Sequence, residues 1–501
     1  MRIILLYICI CFSFFPAFAQ KRKIEIVHTD LMVGDRQVRK LYGNVEFKHQ
    51  DMRMFCDSAY FYVKDNKFEA YNNVKIINND VTITSDTLYY SSQTNIAKFR
   101  GKIKMVNKDV TLTTNYLDYN AKENIGSYFN NGKIVDKENI LTSKIGRYTV
   151  NDNMLFFKNN VVLKNKDYVI YTDTLKYQTV TKVAYFHGPT RIVSKENLLY
   201  TENGWYNTQT NIAQFFKKSY INSKAQFVYG DSLYYNRNTD IGKAFKNVII
   251  KDTVEQLFLY GQKGFYDGKA DYVYVTNKIL LIKAFKKDSL YLHADSIFSI
   301  RLPINKAKPD SATYQIVKAY HKARFYKSDV QGVCDSLLYN SLDSVIHLHI
   351  RPIIWSDQNQ ISGKSISLRL VNNVIEQIDI DADAFLIAQD DSTQFNQMKG
   401  KKLRGYIKNN ELYKVEISQN GETIYYLRDD SDLVGINKAV CNNIDAYIHN
   451  GKVQKIVFKS KPSGTLYPPH EISGSATQLD NFKWLEHIRP QNHKDIYKWK
   501  E

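Results

Sequence analysis

Hydrophobic and polar positions repeat with a period of about 29 residues through the first half of this chain. One set of positions at this spacing is aromatic: Phe61, Tyr90, Tyr119, Tyr148, Tyr177, Tyr206 and Tyr235. A second set is apolar: Met54, Ile83, Leu112, Leu141, Ile170, Leu199 and Val228. So regular a period is typical of a stack in which each repeat buries its apolar face against its neighbours. The pattern favours such a stack over a compact enzyme.

Each repeat has the pattern of two antiparallel strands. Residues 96–105 alternate polar and apolar for much of their length, residues 107–109 form a turn, and residues 110–119 make a second strand. Alternation with a period of two, punctuated by Asn, Asp and Gly, indicates antiparallel strands. The abundance of Tyr, Thr, Val and Ile agrees with this. We therefore predict an all-β fold built from bent antiparallel strands, two in each repeat.

The second strand of each repeat is predicted to bend. Leu112 and Tyr119 lie seven positions apart, so in an unbroken strand they would face opposite sides. A β-bulge or corner between them would return both side chains to the interior, and each strand would then cross from one sheet to another. We expect this corner where an acid precedes a hydroxyl residue: Asp57-Ser58, Asp86-Thr87, Asp173-Thr174 and Asp231-Ser232.

The spacing between the aromatic positions of successive repeats becomes less regular after Tyr235. A second family of units, each a strand, a short Asn or Gly turn and a strand, is expected at 366–380, 403–417 and 444–458. The tail from Lys459 contains four prolines and is expected to cap or fray the end of the stack. We divide the chain into a signal peptide at 1–19, regular repeats at 20–300, looser repeats at 301–399, and C-terminal β units with the tail at 400–501.

Residues 1–19 have the features of a cleaved signal peptide. Arg2 precedes an apolar stretch from Ile3 to Phe15, and Ala17-Phe18-Ala19 is a small-x-small cleavage site. The stretch is too short to span a membrane, although an uncleaved signal anchor is an alternative. No cysteine stands at the cleavage site, so a lipoprotein is not expected. The mature protein is predicted to be exported, and either soluble or peripheral to a membrane.

The net charge bears on the kind of partner, and the cysteine content bears on disulfide bonds and metal sites. The formal net charge of +18 favours nucleic acid or an anionic surface as partner. Export disfavours nucleic acid and favours anionic lipid, with a merely solubilising surface as the alternative. Cys56, Cys334 and Cys441 remain after cleavage of the signal peptide. They lie far apart without metal-site spacing, so we predict small buried residues.

Three short motifs are candidates for chemistry. Gly363-Lys364-Ser365 lacks the earlier glycine of a phosphate loop. His347 and His349 share a strand face at metal-ligand spacing, but no third ligand is near them in sequence. A polar strand face is the simpler interpretation of the acids at Asp379, Asp381 and Asp383. We predict no catalytic residue, no metal and no cofactor, and therefore a protein that is not an enzyme.

The repeat motifs resemble a known family. First-strand units read Phe68-Glu69-Ala70-Tyr71-Asn72-Asn73-Val74, Ala97-Lys98-Phe99-Arg100-Gly101-Lys102-Ile103 and Ala184-Tyr185-Phe186-His187-Gly188-Pro189-Thr190. A second-strand unit reads Ser85-Asp86-Thr87-Leu88-Tyr89-Tyr90. These units resemble the OstA/LptA family of lipopolysaccharide-transport proteins, in the long form associated with Bacteroidota. The resemblance implies an elongated, twisted β-jellyroll in the periplasm that binds lipopolysaccharide or a related glycolipid during outer-membrane assembly.

Energetics favour an apolar groove as the working part of such a protein. Each methylene group removed from water contributes about 0.8 kcal/mol, whereas an exposed ion pair contributes about 0–1 kcal/mol. The inner rows therefore have to hold acyl chains, and rim lysines only orient phosphates. The predicted lining is Met54, Ile83, Leu112, Leu141, Ile170, Leu199, Val228, Phe61, Tyr90, Tyr119, Tyr148 and Tyr177. The alternative is that these rows pack together as a closed core.

The partners are expected at the ends of the stack. Terminal strands leave unpaired backbone groups, which favour addition of a strand from another chain. The first such edge contains Ile24 and Ile26, and its partner would be a similar jellyroll at the inner membrane or a second copy joined head to tail. The far edge would meet the outer-membrane translocon. Two other functions stay open: a structural stacked-β surface protein or scaffold without lipid, and the jellyroll part of a translocon itself.

Overall fold

The computed structural model describes residues 24–49, 52–78, 80–91, 93–136, 138–149, 151–195, 197–223, 226–254, 256–286, 288–305, 312–372, 374–409, 411–429, 432–449 and 452–499. The predicted signal peptide at 1–19 lies outside these residues. The predicted all-β fold is confirmed, because the described residues form 38 strands and three short 3-10 helices. No α-helix occurs in this part of the chain. All the strand pairs that the structure describes are antiparallel, as for example β3 with β4 (residues 38–49 and 52–62).

The chain forms two units. The N-terminal unit comprises Met1–Lys224 and Tyr229–Asn238, and the C-terminal unit comprises Ala225–Val228 and Thr239–Glu501. The strands of the N-terminal unit are β1 (Glu25–His28), β2 (Leu31–Gly34), β3 (Val38–His49), β4 (Met52–Tyr62), β5 (Lys67–Asn78), β6 (Val81–Ser91), β7 (Ile96–Asn107), β8 (Val110–Asn120), β9 (Ile125–Tyr128), β10 (Gly132–Val135), β11 (Asn139–Ser143), β12 (Ile145–Thr149), β13 (Met154–Asn165), β14 (Tyr168–Gln178), β15 (Val183–Ser194), β16 (Asn197–Asn207) and β17 (Ile212–Ser223).

The boundary falls within β18 (Gln226–Asn236). The remaining strands are β19 (Ile241–Asp252), β20 (Leu257–Asp267), β21 (Tyr272–Thr276), β22 (Leu280–Ala284), β23 (Ser289–His293), β24 (Ser296–Pro303), β25 (Thr313–Lys327), β26 (Val330–Asn340), β27 (Val345–His349), β28 (Ile353–Ser356), β29 (Asn359–Ser362), β30 (Ser365–Val371), β31 (Val374–Ile380), β32 (Ala384–Gln389), β33 (Phe395–Gly400), β34 (Lys402–Lys408), β35 (Glu411–Asp429), β36 (Asp432–His449), β37 (Lys452–Lys459) and β38 (Ser463–Tyr467). The 3-10 helices are Gly474–Thr477, Glu486–Ile488 and Asp495–Tyr497. The predicted domain boundaries at 300 and 399 follow repeat type rather than packing, and they stay a prediction.

The predicted corner is present in the middle of the long strands. Between β6 and β7, Thr84 pairs with Lys104 and Thr87 pairs with Arg100, so the register shifts by one position at Asp86. The same shift separates the two halves of β8, where Tyr119 is buried. Leu112 pairs across the sheet with the buried Met105 and Ile134, which places it on the interior face. The change of parity between the two rows is therefore confirmed.

The strand opposite most of the register positions supplies two consecutive residues with positive φ, whereas opposite Asp173 only Gly188 has a positive φ and Pro189 follows it. At Gly101 and Lys102 the φ angles are 78° and 37°, a left-handed conformation that glycine adopts without strain. A Cβ at Gly101 would lie 2.3 Å from Oδ2 of Asp86, so the acid covers the corner closely. Such pairs recur in step with the sequence period at Gly43-Asn44, Asn72-Asn73, Gly101-Lys102, Asn130-Asn131, Asn159-Asn160 and Lys217-Lys218.

A row of buried hydroxyl groups, which the sequence pattern did not reveal, lies at the same corner. Its members follow the same period and are buried: Ser85, Thr114, Ser143, Thr172 and Thr201. The Thr201 hydroxyl lies 2.7 Å from the carbonyl oxygen of Asn203, and the Ser143 hydroxyl donates to that of Ile145 at 2.9 Å. A register shift deprives backbone groups of their ladder partners, and buried unpaired groups are unfavourable. The hydroxyl row satisfies those carbonyls.

The C-terminal unit also has two arms. Arm A consists of β22, β23, β28, β29, β32, β33 and β38, and arm B of β21, β24, β27, β30, β31, β34 and β37. The strands β25, β26, β35 and β36 run through both arms, with register shifts between Tyr320 and Ala323 and between Ser418 and Gly421. The hairpins predicted for the second family of units are confirmed as β30–β31, β34–β35 and β36–β37.

The tail that follows Lys459 begins with β38, which pairs with β36 as the last strand of arm A. From Pro468 onward it lies against the outer face of arm A, where Ile472 and Leu479 pack with Phe385 and Tyr426. Buried Gln360 and Gln397 bond its backbone at Leu485 and Leu479. The expected cap or frayed end did not include this packing along arm A. The prolines at 468, 469 and 490 disfavour a further strand but do not prevent burial of the apolar residues between them.

The hydroxyl row is expected to contribute measurably to stability. Replacing Thr201 by Val keeps the shape of the fully buried side chain but removes the one hydroxyl donor within reach of the carbonyls of Asn203 and Phe216, and the acceptor of the Asn203 N–H. We expect a loss of about 1–3 kcal/mol in the free energy of unfolding, measured by urea denaturation. Thr113→Val, at an exposed position of the same kind of strand, should change it by less than about 0.5 kcal/mol. Equal effects of the two variants would refute the assignment.

Candidate functional site

A large groove opens between the two arms of the C-terminal unit, with a volume of about 1120 Å³. Its deepest residues are buried core residues of both arms: Leu292, Phe325, Leu348, Ile354, Ile361, Leu368 and Ile378. Nearer the opening, half-buried aliphatic side chains line it: Leu290, Val330, Leu337, Ile346, Ile375, Ile407 and Leu412. This volume lies at the upper end of the usual range of about 300–1,000 Å³ for small-molecule pockets.

Strand alternation explains why arm B has an apolar inner face. In β30, Ile366, Leu368 and Leu370 alternate with Ser365, Ser367 and Arg369. Directly opposed residues of paired strands share a face, and Leu368 pairs with Ile346 of β27 and with Ile378 of β31. The apolar row therefore continues from strand to strand.

The opening of the groove carries both charge signs. Lys286, Lys327, Asp288, Asp329, Asp357 and Glu411 lie along it. Lys327 pairs with Asp329, and Asp288 accepts a hydrogen bond from the backbone N–H of Ser328 at 3.0 Å. Burial alone would raise the pKa of Asp288, but its hydrogen bonds from Ser328 and Ser289 outweigh this and lower the pKa. The opening of this groove therefore carries acids as well as lysines, unlike a purely basic rim that would orient phosphates.

Of the twelve residues predicted to line a groove, eleven lie in the N-terminal unit and Val228 lies in the short segment Ala225–Val228 of the C-terminal unit. They have two environments. Six are buried: Met54, Leu141, Ile170, Tyr119, Tyr148 and Tyr177. Six are half-buried: Ile83, Leu112, Leu199, Val228, Phe61 and Tyr90. None of the twelve lines the groove of the C-terminal unit. Their role in lipid binding stays a prediction.

The aromatic row has a structural role in addition. Burial raises the pKa of the Tyr119 and Tyr206 phenols, so both stay protonated and act as donors. The Tyr206 hydroxyl donates to Asn211 Oδ1 at 2.8 Å, and the Tyr119 hydroxyl to Asn124 Oδ1 at 3.3 Å. Each tyrosine thus fixes the turn that follows it, where the asparagine has positive φ.

The other candidate motifs have ordinary partners. His347 Nδ1 lies 2.9 Å from the Ser367 hydroxyl, and its ring stacks on that of His349. Asp379 pairs with Arg404 at 2.7 Å. Among the residues that the structure describes, no three or more His, Cys, Asp or Glu side chains form a group that could hold a metal ion.

The groove of the C-terminal unit was not predicted from the sequence. The signal was available, since the apolar alternation at 366–380 and 403–417 predicted the hairpins that build arm B. What the alternation lacked was the aromatic column of the first repeats. The predicted lining therefore fell where the period was strongest.

Repeated bent strands with an apolar groove between two arms define a β-sandwich of the jellyroll type. The family model of OstA-like proteins matches residues 21–173, 151–227 and 214–297. These segments cover more than half of the chain, which belongs to the OstA-like family. The resemblance seen in the motifs is thereby confirmed. No curated protein matches the chain.

The family gives the coarse function. OstA-like proteins are of the lipopolysaccharide-transport type, are typically periplasmic and are generally not enzymes. Most of the groove lies C-terminal to the matched segments. In the described ranges, no helix has the length and apolar character needed to cross a membrane.

The buried cysteines are expected to be unreactive. Burial raises the pKa of Cys56 and of Cys334 to about 12. Only the thiolate reacts, and a raised pKa keeps the thiol neutral until the pH approaches that value. Iodoacetamide at mildly alkaline pH should therefore label neither residue of the native mature chain, and both after unfolding in guanidinium, as read by mass spectrometry. Rapid labelling of the native protein would contradict this.

Proposed function

We propose that this protein carries a glycolipid of the lipopolysaccharide type across the periplasm, and that the groove of the C-terminal unit shelters its acyl chains. The observation that supports this most directly is the groove's apolar lining. Half-buried aliphatic side chains such as Leu337, Ile407 and Leu412 face an open space. Exposed apolar surface of this kind is unfavourable in water, and an acyl chain would remove it from water.

The dimensions of the groove suit an extended acyl chain. Seven neighbouring strands of arm B, from β26 to β36, contribute lining residues. At about 4.8 Å between strands, the lining extends for about 29 Å. A fully extended chain of about 12 carbons is at most about 17 Å long at about 1.5 Å per bond. The groove therefore has room for a chain of this length with the head group outside the opening.

Binding would be driven by the hydrocarbon rather than by charge. Each sheltered methylene contributes about 0.8 kcal/mol, so about 12 of them contribute roughly 10 kcal/mol. The rim charges contribute little by comparison, since lysines and acids alternate there and Lys327 already pairs with Asp329. The half-buried members of the two predicted rows in the N-terminal unit, such as Leu112 and Tyr90, offer further apolar surface for the same cargo.

The N-terminal edge is proposed as the docking surface for a strand of a similar jellyroll. Ile26 of β1 pairs with Phe47 of β3, and β2 pairs with the other half of β3. Within the described ranges, no second strand pairs with β1 or β2. Exposed apolar side chains lie on these strands: Val27, Leu31, Met32 and Val33. An unpaired apolar edge favours strand addition.

The groove hypothesis predicts a position-specific effect of charge. Leu412→Asp should weaken binding of cis-parinaric acid, a fluorescent fatty acid, at least about tenfold, because a carboxylate in an apolar groove must lose its hydration. Leu342→Asp is the matched control, since Leu342 is 56% exposed in a turn of the same unit. Fluorescence titration measures both affinities, and thermal unfolding checks that both variants fold.

The same positions can be tested with the natural cargo. A photo-reactive residue at 412 should crosslink to lipopolysaccharide in cells, and one at 342 should not. If neither variant changes fatty-acid affinity and neither position crosslinks, the structural role without lipid is favoured instead.

The edge hypothesis predicts a separable loss of assembly. Ile26→Pro removes a backbone donor from the edge strand without touching the core, so complexes formed through this edge should weaken while the melting temperature of the isolated protein stays unchanged. Size-exclusion chromatography with light scattering separates a self-associated chain from one that needs a different partner. Unchanged complexes at equal protein concentration would rule out this edge as the joint.

A further inference from the structure

The tail forms a third layer on arm A. Beyond Tyr467 it makes no strand among the described residues, yet Ile496 is fully buried and Leu479 nearly so. Leu485 and Ile488 pack against a cluster of Val333, Ile353 and Trp355. The outer face of arm A is thus apolar, and the tail covers it.

Buried glutamines hold the backbone of the tail. The side-chain amide of Gln360 donates to the carbonyl of Lys483 at 2.8 Å and accepts the N–H of Leu485 at 2.8 Å. Gln397 bonds Thr477 and Leu479 in the same two-sided way, both at 2.9 Å. Each amide satisfies a donor and an acceptor of a segment that has no strand partner of its own.

The attachment continues toward the end of the tail. Gln331 accepts from Arg489 Nε at 2.8 Å. Further along, the buried guanidinium of Arg324 lies 4.5 Å from the Trp499 ring, and burial lowers its pKa. Burial under the tail is unfavourable for this cation, and its contact with the Trp499 ring and its hydrogen bond to the carbonyl of Asp495 at 3.4 Å offset part of that penalty.

The strands under the tail are also the wall of the groove. In β28, Ile354 lines the groove and its neighbour Trp355 lies under the tail. The same alternation occurs in β29, where Ile361 lines the groove and its neighbour Gln360 bonds the tail. It occurs again in β25, where Phe325 lines the groove and its neighbour Arg324 lies against Trp499 of the tail. One set of backbones therefore carries both surfaces, so displacement of one surface moves the other.

We propose that docking of the tail and occupancy of the groove are energetically coupled. The tail holds arm A in the position that forms the groove wall, and a ligand that packs on Phe325 and Ile354 stabilises the docked tail in return. Such coupling is reciprocal by thermodynamic necessity. The ligand half of this inference rests on the proposed function, whereas the effect of the tail on the wall does not.

The test uses the full mature chain with two buried amides replaced. Gln360→Leu combined with Gln397→Leu removes the hydrogen bonds of both amides to the tail and leaves every groove-lining side chain in place. Gln377→Leu is the matched control, because Gln377 bonds Asp379 on arm B and does not contact the tail. Hydrogen exchange read by mass spectrometry reports on the tail and on β28 and β29, and cis-parinaric acid reports on the groove.

The double variant should exchange faster in the tail and in β28 and β29, and should bind the fatty acid about tenfold more weakly, within the usual range of coupling between sites. In the unaltered chain, the fatty acid should slow exchange of the tail. The control variant should show neither change. Faster exchange confined to the tail, with the wall and the affinity unchanged, would overturn the inference.

A result that refutes the proposed lipid binding can be told apart from one that refutes the effect of the tail on the groove wall. If the unaltered chain binds no fatty acid, exchange in β28 and β29 still decides the effect of the tail on the wall. Unchanged exchange there in the double variant would overturn the inference, even if another cargo were found. If the double variant does not fold, Arg489→Ala provides the same comparison, because it removes the bonds of the tail to Gln331 and to the carbonyl of Asp357 together with the ion pair to Glu486.

Discussion

The register shift in the middle of each strand is the constraint on which the rest of the structure depends. A strand without it would turn one of its two apolar rows toward water. With it, the strand bends and both rows face inward. The shift is possible because two residues adopt positive φ, an acid such as Asp86 covers them, and a hydroxyl such as that of Thr201 satisfies the carbonyls left without partners. The stack therefore depends on a repeated polar corner as much as on its apolar rows.

The two units have different interiors. In the N-terminal unit, large aromatic side chains such as Tyr119, Tyr148 and Tyr177 are buried together with aliphatic ones such as Ile170. In the C-terminal unit, a groove remains between the two arms, and aliphatic residues such as Leu412 stand near its opening.

A groove needs a wall that does not collapse into it. Arm A is stiffened from outside by the tail, which buries Trp355 and the side chains of Gln360 and Gln397. Buried amides that bond through both their oxygen and their nitrogen favour a single arrangement, because a shift would leave them unsatisfied. This explains why polar residues occur in the outer row of arm A, where Gln360 stands directly between Trp355 and Ile387. The covering layer and the cavity are consequences of the same strand alternation.

The sequence by itself determined the local structure of this protein. The repeat period, the strand pairs, the corner between Leu112 and Tyr119, the later hairpins and the family could all be predicted, because each depends on neighbours along the chain or on a fixed repeat. The partners at the edges and the lipid role of the N-terminal rows stay predictions. Only the tertiary structure decided that the large groove lies in the C-terminal unit, that hydroxyls bond the corner carbonyls, and that the tail covers arm A. The corner bonds join residues two positions apart but depend on the shift in strand register, whereas the tail contacts join residues such as Gln360 and Leu485, more than a hundred positions apart. Neither periodicity nor composition encodes which distant surfaces meet, because that depends on how the side chains of both arms fill the space between them.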